Sequence, residues 1–196
     1  MKKRIAVILA TLVFTGGNVL AEASDDDDFL NSVNFEMFYT EMGLPYDGVW
    51  TCFDNALYIY LPSELKVTEV AEQMRSAGML AEYHCTDAEN ITTYVQISKQ
   101  GEKASARVIL KEIQAFCTDS GLVRINGIPV AVGHDETTLC AETLMPDGEA
   151  YLVKISFSSE ADDIGDTQGM YLFGIVYSLS ETPLEIDEEK VGLGTY

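Results

Sequence analysis

Four cysteines and two histidines carry the side chains best suited to nucleophilic chemistry in this sequence of 196 residues. The sharpest enzymatic hypothesis pairs Cys85 with His134, because an imidazole can take the proton of a thiol and activate it as a nucleophile. No Gly-x-Ser-x-Gly segment occurs that would position a catalytic serine. A hydrolase that uses Cys85 is therefore one alternative that the sequence leaves open.

The same thiols also suit disulfide bonds, which are typical of exported chains with an even number of cysteines. They lie far apart in the sequence, at Cys52, Cys85, Cys117 and Cys140. This spacing matches no zinc pattern, in which the ligands come in close pairs. We prefer the pairing Cys52–Cys85 with Cys117–Cys140, and four buried thiols are the alternative reading.

Carboxylates are the most numerous titratable groups, with 32 Asp and Glu against 12 Lys and Arg and a net charge of −20. This charge excludes a nucleic-acid binder that relies on phosphate neutralisation. Two carboxylates could serve a hydrolase, but that chemistry requires a separation that only a structure can give. Residues 162–166 could offer oxygen ligands to calcium, although they lack a complete calcium loop. A calcium-dependent interaction module stays an alternative, and no metal site or cofactor is predicted.

Aromatic side chains give the candidate binding surface. They cluster early in the chain, at Tyr46, Trp50, Tyr58 and Tyr60. In the strand predicted there, Tyr58 and Tyr60 share one face, because side chains alternate along a strand. If that face is uncovered, its rings could stack on a ligand or anchor a partner. If a helix covers it, they belong to the core.

The N-terminal sequence predicts where the chain goes. Residues 1–23 combine a basic start, a ten-residue apolar run at 5–14 and small residues near 21–23, which is the pattern of a secretory signal peptide. The apolar run is too short for a membrane span, which needs about 20 residues. We therefore expect a secreted, extracytoplasmic protein without a membrane span after cleavage.

The remaining chain is expected to form one domain with polar extensions. Residues 24–47 are predicted to be an acidic tether and an irregular N-terminal segment, residues 48–181 a single domain, and residues 182–196 an acidic tail. The length after residue 23 suffices for one sizeable core.

Hydrophobic periodicity supplies the elements of this domain. The clearest helix covers residues 105–117, where one apolar stripe is formed by Ala106, Ile109, Leu110, Ile113 and Cys117. Two hairpins are expected late in the chain, one around Asn126-Gly127 and one around residues 146–148. The other expected elements are strands at 57–61, 79–84 and 92–98, and helices at 67–74 and 172–179. This order predicts an α+β fold, an antiparallel sheet with helices packed on its faces.

Several of these landmarks resemble the PsbP-like group, which includes photosystem II extrinsic subunits, the Mog family and bacterial secreted proteins. The resemblance rests on a strand that runs into Pro62, a strand followed by a helix (92–117), the turns at 125–128 and 146–148, the strand at 151–157 and the closing segment 175–179. It implies an α/β/α sandwich, and it implies a binding or assembly module rather than an enzyme. No functional residue is transferred from it.

These observations together favour a secreted, non-catalytic binding module. Its partner would be a protein or a small ligand, and not a nucleic acid.

Overall fold

The computed structural model describes residues 29–44, 46–88, 90–135, 137–158 and 166–186. The predicted signal peptide, the aspartate run at 25–28, residues 162–165 of the calcium candidate and most of the acidic tail lie outside the described residues.

Ten strands and four helices form the described part of the chain. The strands are β1 (Phe29–Val33), β2 (Gly48–Phe53), β3 (Leu57–Pro62), β4 (Lys66–Thr68), β5 (Met79–Thr86), β6 (Thr92–Glu102), β7 (Asp119–Ile125), β8 (Ile128–His134), β9 (Thr138–Leu144) and β10 (Glu149–Phe157). The helices are α1 (Phe35–Met42), α2 (Glu72–Ser76), α3 (Ala106–Gln114) and α4 (Asp166–Tyr177).

Eight of the strands form one sheet in the order β1-β7-β8-β9-β10-β6-β5-β4, and β2 and β3 form a separate two-stranded ribbon. The prediction of an α+β sandwich around an antiparallel sheet is therefore wrong. The fold is mostly β. Its large sheet is mixed, because β1 pairs parallel to β7. Strands also form where none was expected, in β1 and in β2.

One face of the sheet carries the larger core. Alternate residues of β10, namely Tyr151, Val153, Ile155 and Phe157, are all buried on this face. Side chains of α1, α4 and the β2–β3 ribbon pack against them in one hydrophobic cluster. Part of the cover expected from helices is thus supplied by a two-stranded ribbon.

The opposite face is covered by α3, which packs on β7, β8 and β9. All five residues of the predicted stripe join this second cluster, and Ile109 and Ile113 are fully buried. The helix can approach closely because β8 has a glycine beneath it. A Cβ on Gly133 would meet Ile113 Cγ2 and would lie 2.8 Å from Cys117 Cβ.

The predicted Asn126-Gly127 turn is confirmed, and both residues have positive φ, at 49° and 87°. The Asn126 side chain also does more than form the turn. Its amide donates to the carbonyl oxygens of Tyr177 at 2.7 Å and Leu179 at 2.9 Å, and its Oδ1 accepts from the Phe35 N–H at 2.8 Å. It therefore connects the end of α4 and the start of α1 to the sheet, and satisfies backbone groups that helix termini leave unpaired.

The helix predicted at 67–74 is confirmed only in its last residues, because α2 begins at Glu72. Residues Lys66–Thr68 form the short strand β4 on the sheet edge, and the helix α2 that follows has no buried residue. Val67 is 73% exposed, so its helical spacing from Val70 does not reflect a shared core face. Pairing with β5 satisfies the backbone of this segment instead.

Candidate functional site

Half of the α3 side of the sheet carries no buried side chain. We call this half the open face. It consists of the outward side chains of β4, β5, β6 and β10, namely Lys66, Thr68, Glu82, His84, Tyr94, Gln96, Lys154 and Ser156, all half-buried or exposed. The register places them in two cross-strand rows, one through Tyr94 and one through Gln96. An antiparallel sheet tolerates such a solvated face, and it can bear specific side chains there.

Hydrogen bonds fix several of these side chains. Gln96 Nε2 donates to Glu82 Oε2 at 2.5 Å, and Thr68 Oγ1 lies 2.9 Å from His84 Nδ1. Each of these bonds joins neighbouring strands. Because the partners are held by the sheet, the polar groups present a defined pattern to solvent at a small entropy cost on binding.

Tyr94 is the most prominent group of the open face. It pairs with His84 on one side and Ser156 on the other, and it is 40% exposed. Hydrogen-bonding side chains, His84 and Ser156, therefore flank it in its own row, and the exposed Lys154 lies in the adjacent row. An aromatic ring in such a setting can stack on a flat group or receive a cation over its face.

The aromatic residues named from the sequence lie elsewhere, and the structure brings three of them together. Tyr60 is only 5% exposed and lies between Tyr46 and Trp50, with ring centroids 5.6 Å and 5.4 Å away. The Tyr46 hydroxyl donates to the Tyr60 carbonyl at 2.6 Å, and burial raises the pKa of Tyr46 well above its usual value. Phe35 of α1 packs 5.7 Å from Tyr60. A helix therefore covers this face, and the three rings belong to the core.

Tyr58 is the fourth of these aromatics and is half-buried. It pairs with Cys52 across the β2–β3 ribbon, and a side-chain hydrogen bond with Cys52 raises the pKa of Tyr58. Its backbone also bridges to Ser180. Tyr58 is thus anchored next to a thiol at the outer part of the ribbon and stays apart from the Tyr46–Trp50–Tyr60 cluster.

The structure does not bring Cys85 and His134 together. Cys85 lies on β5 and His134 on β8, with β9, β10 and β6 between them. Four strand spacings of about 4.8 Å separate the two backbones by roughly 19 Å. Burial raises the pKa of Cys85 to about 11, which lowers its thiolate fraction. His134 instead lies 3.5 Å from Asp119.

Two carboxyl groups meet where α3 packs on β9, Glu112 on the helix and Glu142 beneath it. Glu142 of β9 is 2% exposed, and its Oε1 has no hydrogen-bond partner among the described residues. Burial, followed by the adjacent Glu112, raises the pKa of Glu142 to about 8. Lys103 binds Glu112 at 2.7 Å. Glu142 is thus mainly protonated at neutral pH, and its side chain hydrogen-bonds with that of Glu112. Its burial keeps it away from any substrate in solution.

None of the four cysteines forms a disulfide in the described structure, and no pair lies at disulfide distance. Neither of the two expected disulfides, Cys52–Cys85 and Cys117–Cys140, is thus present. Cys52 is exposed, Cys85 is half-buried, and Cys117 and Cys140 are buried. The last two lie together beneath the end of α3, where their thiols hydrogen-bond with each other.

Two further features concern metals and membranes. Among the residues that the structure describes, no group of three or more His, Cys, Asp or Glu side chains is arranged to hold a metal ion. Within the same ranges, no helix has the length and apolar character needed to cross a bilayer.

Comparison with known proteins adds no relative to this picture. No protein-family description matches the sequence, and no curated protein matches it significantly. The resemblance to the PsbP-like group therefore stays a prediction.

Sequence reasoning missed the open face, although the signal was present. In β6 the β-branched residues Thr93, Val95 and Ile97 alternate with Tyr94 and Gln96, which predicts one buried and one solvated face. What the sequence did not show is that the neighbouring strands carry polar side chains in the same rows. It also missed the β2–β3 hairpin, whose turn residues Asp54 and Asn55 both have positive φ.

Proposed function

We propose that this chain is an exported, non-catalytic binding module that contacts a basic protein partner through the open face. The observation that carries the proposal is the exposed Tyr94 within a patterned polar surface on a rigid sheet. Surfaces built on strands hold their groups more precisely than loops do, which favours recognition.

The position of Tyr94 supports its role as the central contact. Tyrosine combines a large apolar ring with a polar tip and loses little conformational entropy on binding, which is why it is common at the centre of interfaces. The flanking Glu82 and Gln96 are already hydrogen-bonded to each other. A partner would therefore meet a preformed polar rim rather than mobile side chains.

Charge supports a basic partner. The chain carries a net charge of −20, and such a field attracts a positively charged protein from a distance and raises its association rate. The open face itself contains both signs, and in one row Gln96 lies between Glu82 and Lys154. Long-range attraction would then come from the net charge of the whole chain, and short-range orientation from the side chains of the open face.

Site-specific photo-crosslinking in an exporting host tests the proposal. A photoreactive phenylalanine analogue at position 94 should give one discrete adduct, and mass spectrometry should identify a basic protein in it. The matched control places the same group at Met37, which is 54% exposed on α1, on the opposite side of the sheet. This position should give no such adduct.

Two results would contradict the proposal. The first is the same adduct pattern from positions 94 and 37, which would indicate non-specific contact. The second is the absence of any adduct from position 94 while the protein is folded and exported. An adduct with an acidic protein would overturn the charge argument alone.

A further inference from the structure

The buried thiols of Cys117 and Cys140 lie closer together than their sequence separation suggests. Cys117 follows the end of α3, and Cys140 lies on β9 directly opposite Gly133 of β8. Cys117 and Cys140 are 9% and 1% exposed, respectively. Each is therefore enclosed between α3 and the sheet, in contact with the other.

The position of Gly133 shows where the Cys117 side chain lies relative to Cys140. A Cβ built on Gly133 would lie 2.8 Å from the Cβ of Cys117 and 3.1 Å from its Sγ. Directly paired residues in an antiparallel ladder have Cβ positions about 4.5–5.5 Å apart. Cys117 thus occupies the space over Gly133 that a side chain would fill, next to Cys140. A disulfide needs Cβ atoms about 3.5–4.5 Å apart. Because no cysteine pair is at disulfide distance in the structure, the end of α3 has to move toward Cys140 for the bond to form.

We propose that Cys117 and Cys140 form a disulfide when the exported chain folds in an oxidising compartment, and that Cys52 and Cys85 remain thiols. The bond forms by thiol–disulfide exchange with an external disulfide, such as a disulfide oxidoreductase or oxidised glutathione. One thiolate attacks the external disulfide and releases one thiol. The second thiolate then displaces the other external sulfur. Two electrons pass to the external disulfide, which leaves as two thiols, and the S–S bond replaces two S–H bonds.

The other two cysteines have different neighbours. The Cys52 thiol bonds with the Tyr58 hydroxyl on the ribbon, and the Cys85 thiol bonds with Thr93 on the sheet. Cys52 and Cys85 therefore lie on separate sheets, and neither thiol contacts the other. Of the two bonds in the pairing preferred from the sequence, the structure thus supports only Cys117–Cys140.

The bond would fasten the end of α3 to the strand that carries Glu142. In the register, Cys140 is also opposite Lys154, which belongs to the open face. The cross-link therefore lies at the boundary between the covered and the open halves of the sheet. It would hold α3 in place without occupying any group of the proposed binding surface.

Peptide mapping tests the proposal on the whole chain. The reduced, unfolded protein is refolded in a glutathione redox buffer, treated with iodoacetamide under denaturing conditions and digested with trypsin. Cleavage after Lys111, Arg124 and Lys154 places Cys117 in peptide 112–124 and Cys140 in peptide 125–154. These two peptides should appear as one linked species that separates on reduction. The peptides that contain Cys52 and Cys85 should be alkylated.

Alkylation of both Cys117 and Cys140 after refolding would overturn the proposal, as would a link from either one to Cys52 or Cys85. A second measurement does not depend on mapping. Reduction should lower the thermal midpoint of the wild type by about 5–10 °C, the scale expected for a loop of this length. A double variant, Cys52→Ser with Cys85→Ser, should keep that shift, whereas Cys140→Ser should lose it. The same shift in Cys140→Ser would also refute the bond.

Discussion

The buried carboxyl Glu142 makes the stability of the fold depend on pH in a defined direction. Its pKa in the folded chain is raised to about 8 by burial and by Glu112, whereas an unfolded glutamate has a pKa of about 4.3. Between these values the folded state binds more protons than the unfolded state. This contribution to stability is therefore complete below about pH 4 and is lost progressively as pH rises to about 8.

The substitution Glu142→Gln isolates this effect. Glutamine has nearly the same shape and can donate a hydrogen bond to Glu112, but it does not ionise. From pH 4.5 to 7.5 the wild type should lose roughly 3–4 kcal/mol through this one group, at about 1.4 kcal/mol per pH unit. The variant should lack that loss. Its stability relative to the wild type should therefore improve by the same amount over this range.

Urea unfolding monitored by Trp50 fluorescence, repeated across pH 4.5 to 8, gives the required free energies. Glu72→Gln is the matched control, because it makes the same side-chain change at Glu72, which is exposed on α2. The control should follow the pH dependence of the wild type. Parallel curves of stability against pH for wild type and Glu142→Gln would contradict the claim that Glu142 is buried beneath α3 and protonated there.

Substitutions at three further positions test the packing that supports the site. Asn126→Asp should destabilise the fold by about 2–3 kcal/mol in urea unfolding, because two carbonyl oxygens lose their donor. Asn126→Gly keeps the turn and should destabilise the fold by a similar amount. A neutral result for both variants would contradict the connection of Asn126 to α4. Gly133→Ala should cost about 1–3 kcal/mol, since its methyl group overlaps Ile113 and Cys117, and an unchanged denaturation midpoint would place α3 further from the sheet. Ile109→Ala should cost about 2–5 kcal/mol by leaving a cavity, whereas Phe116→Ala, at a residue 51% exposed, should change stability little.

The sequence predicted well those features that depend on residues close together in the chain. The α3 stripe and the Asn126-Gly127 turn depend on residues within one or two turns of chain, and the structure confirms both. The 172–179 segment is helical as expected through Tyr177, within the longer helix α4. The strand β1 was missed because its partner is distant: β1 pairs with β7, about 90 residues later in the sequence. The strand β2 was missed although its partner β3 follows closely in the chain.

The candidate site was harder to predict than the elements. The sequence places Tyr46, Trp50, Tyr58 and Tyr60 near one another in the chain. Only tertiary packing decides whether such rings face solvent or, as Trp50 and Tyr60 do, pack on Phe35 of α1. Tyr94 gave a weaker signal on its own, since its importance depends on the rows formed by β5 and β10. Periodicity identifies the faces of a strand, and it does not show which face another element covers.

The sequence by itself determined the acidic character of the protein and the helix and turns that local residue types impose, and it predicts export. Only the tertiary structure decided the mixed order of the sheet, the place of Glu142 next to Glu112, the approach of Cys117 to Cys140, and the uncovered rows around Tyr94. The physical reason is the range of the interactions. Turn geometry and amphipathic spacing act between neighbours in the chain, whereas strand pairing and burial are set by contacts between segments that the sequence leaves far apart.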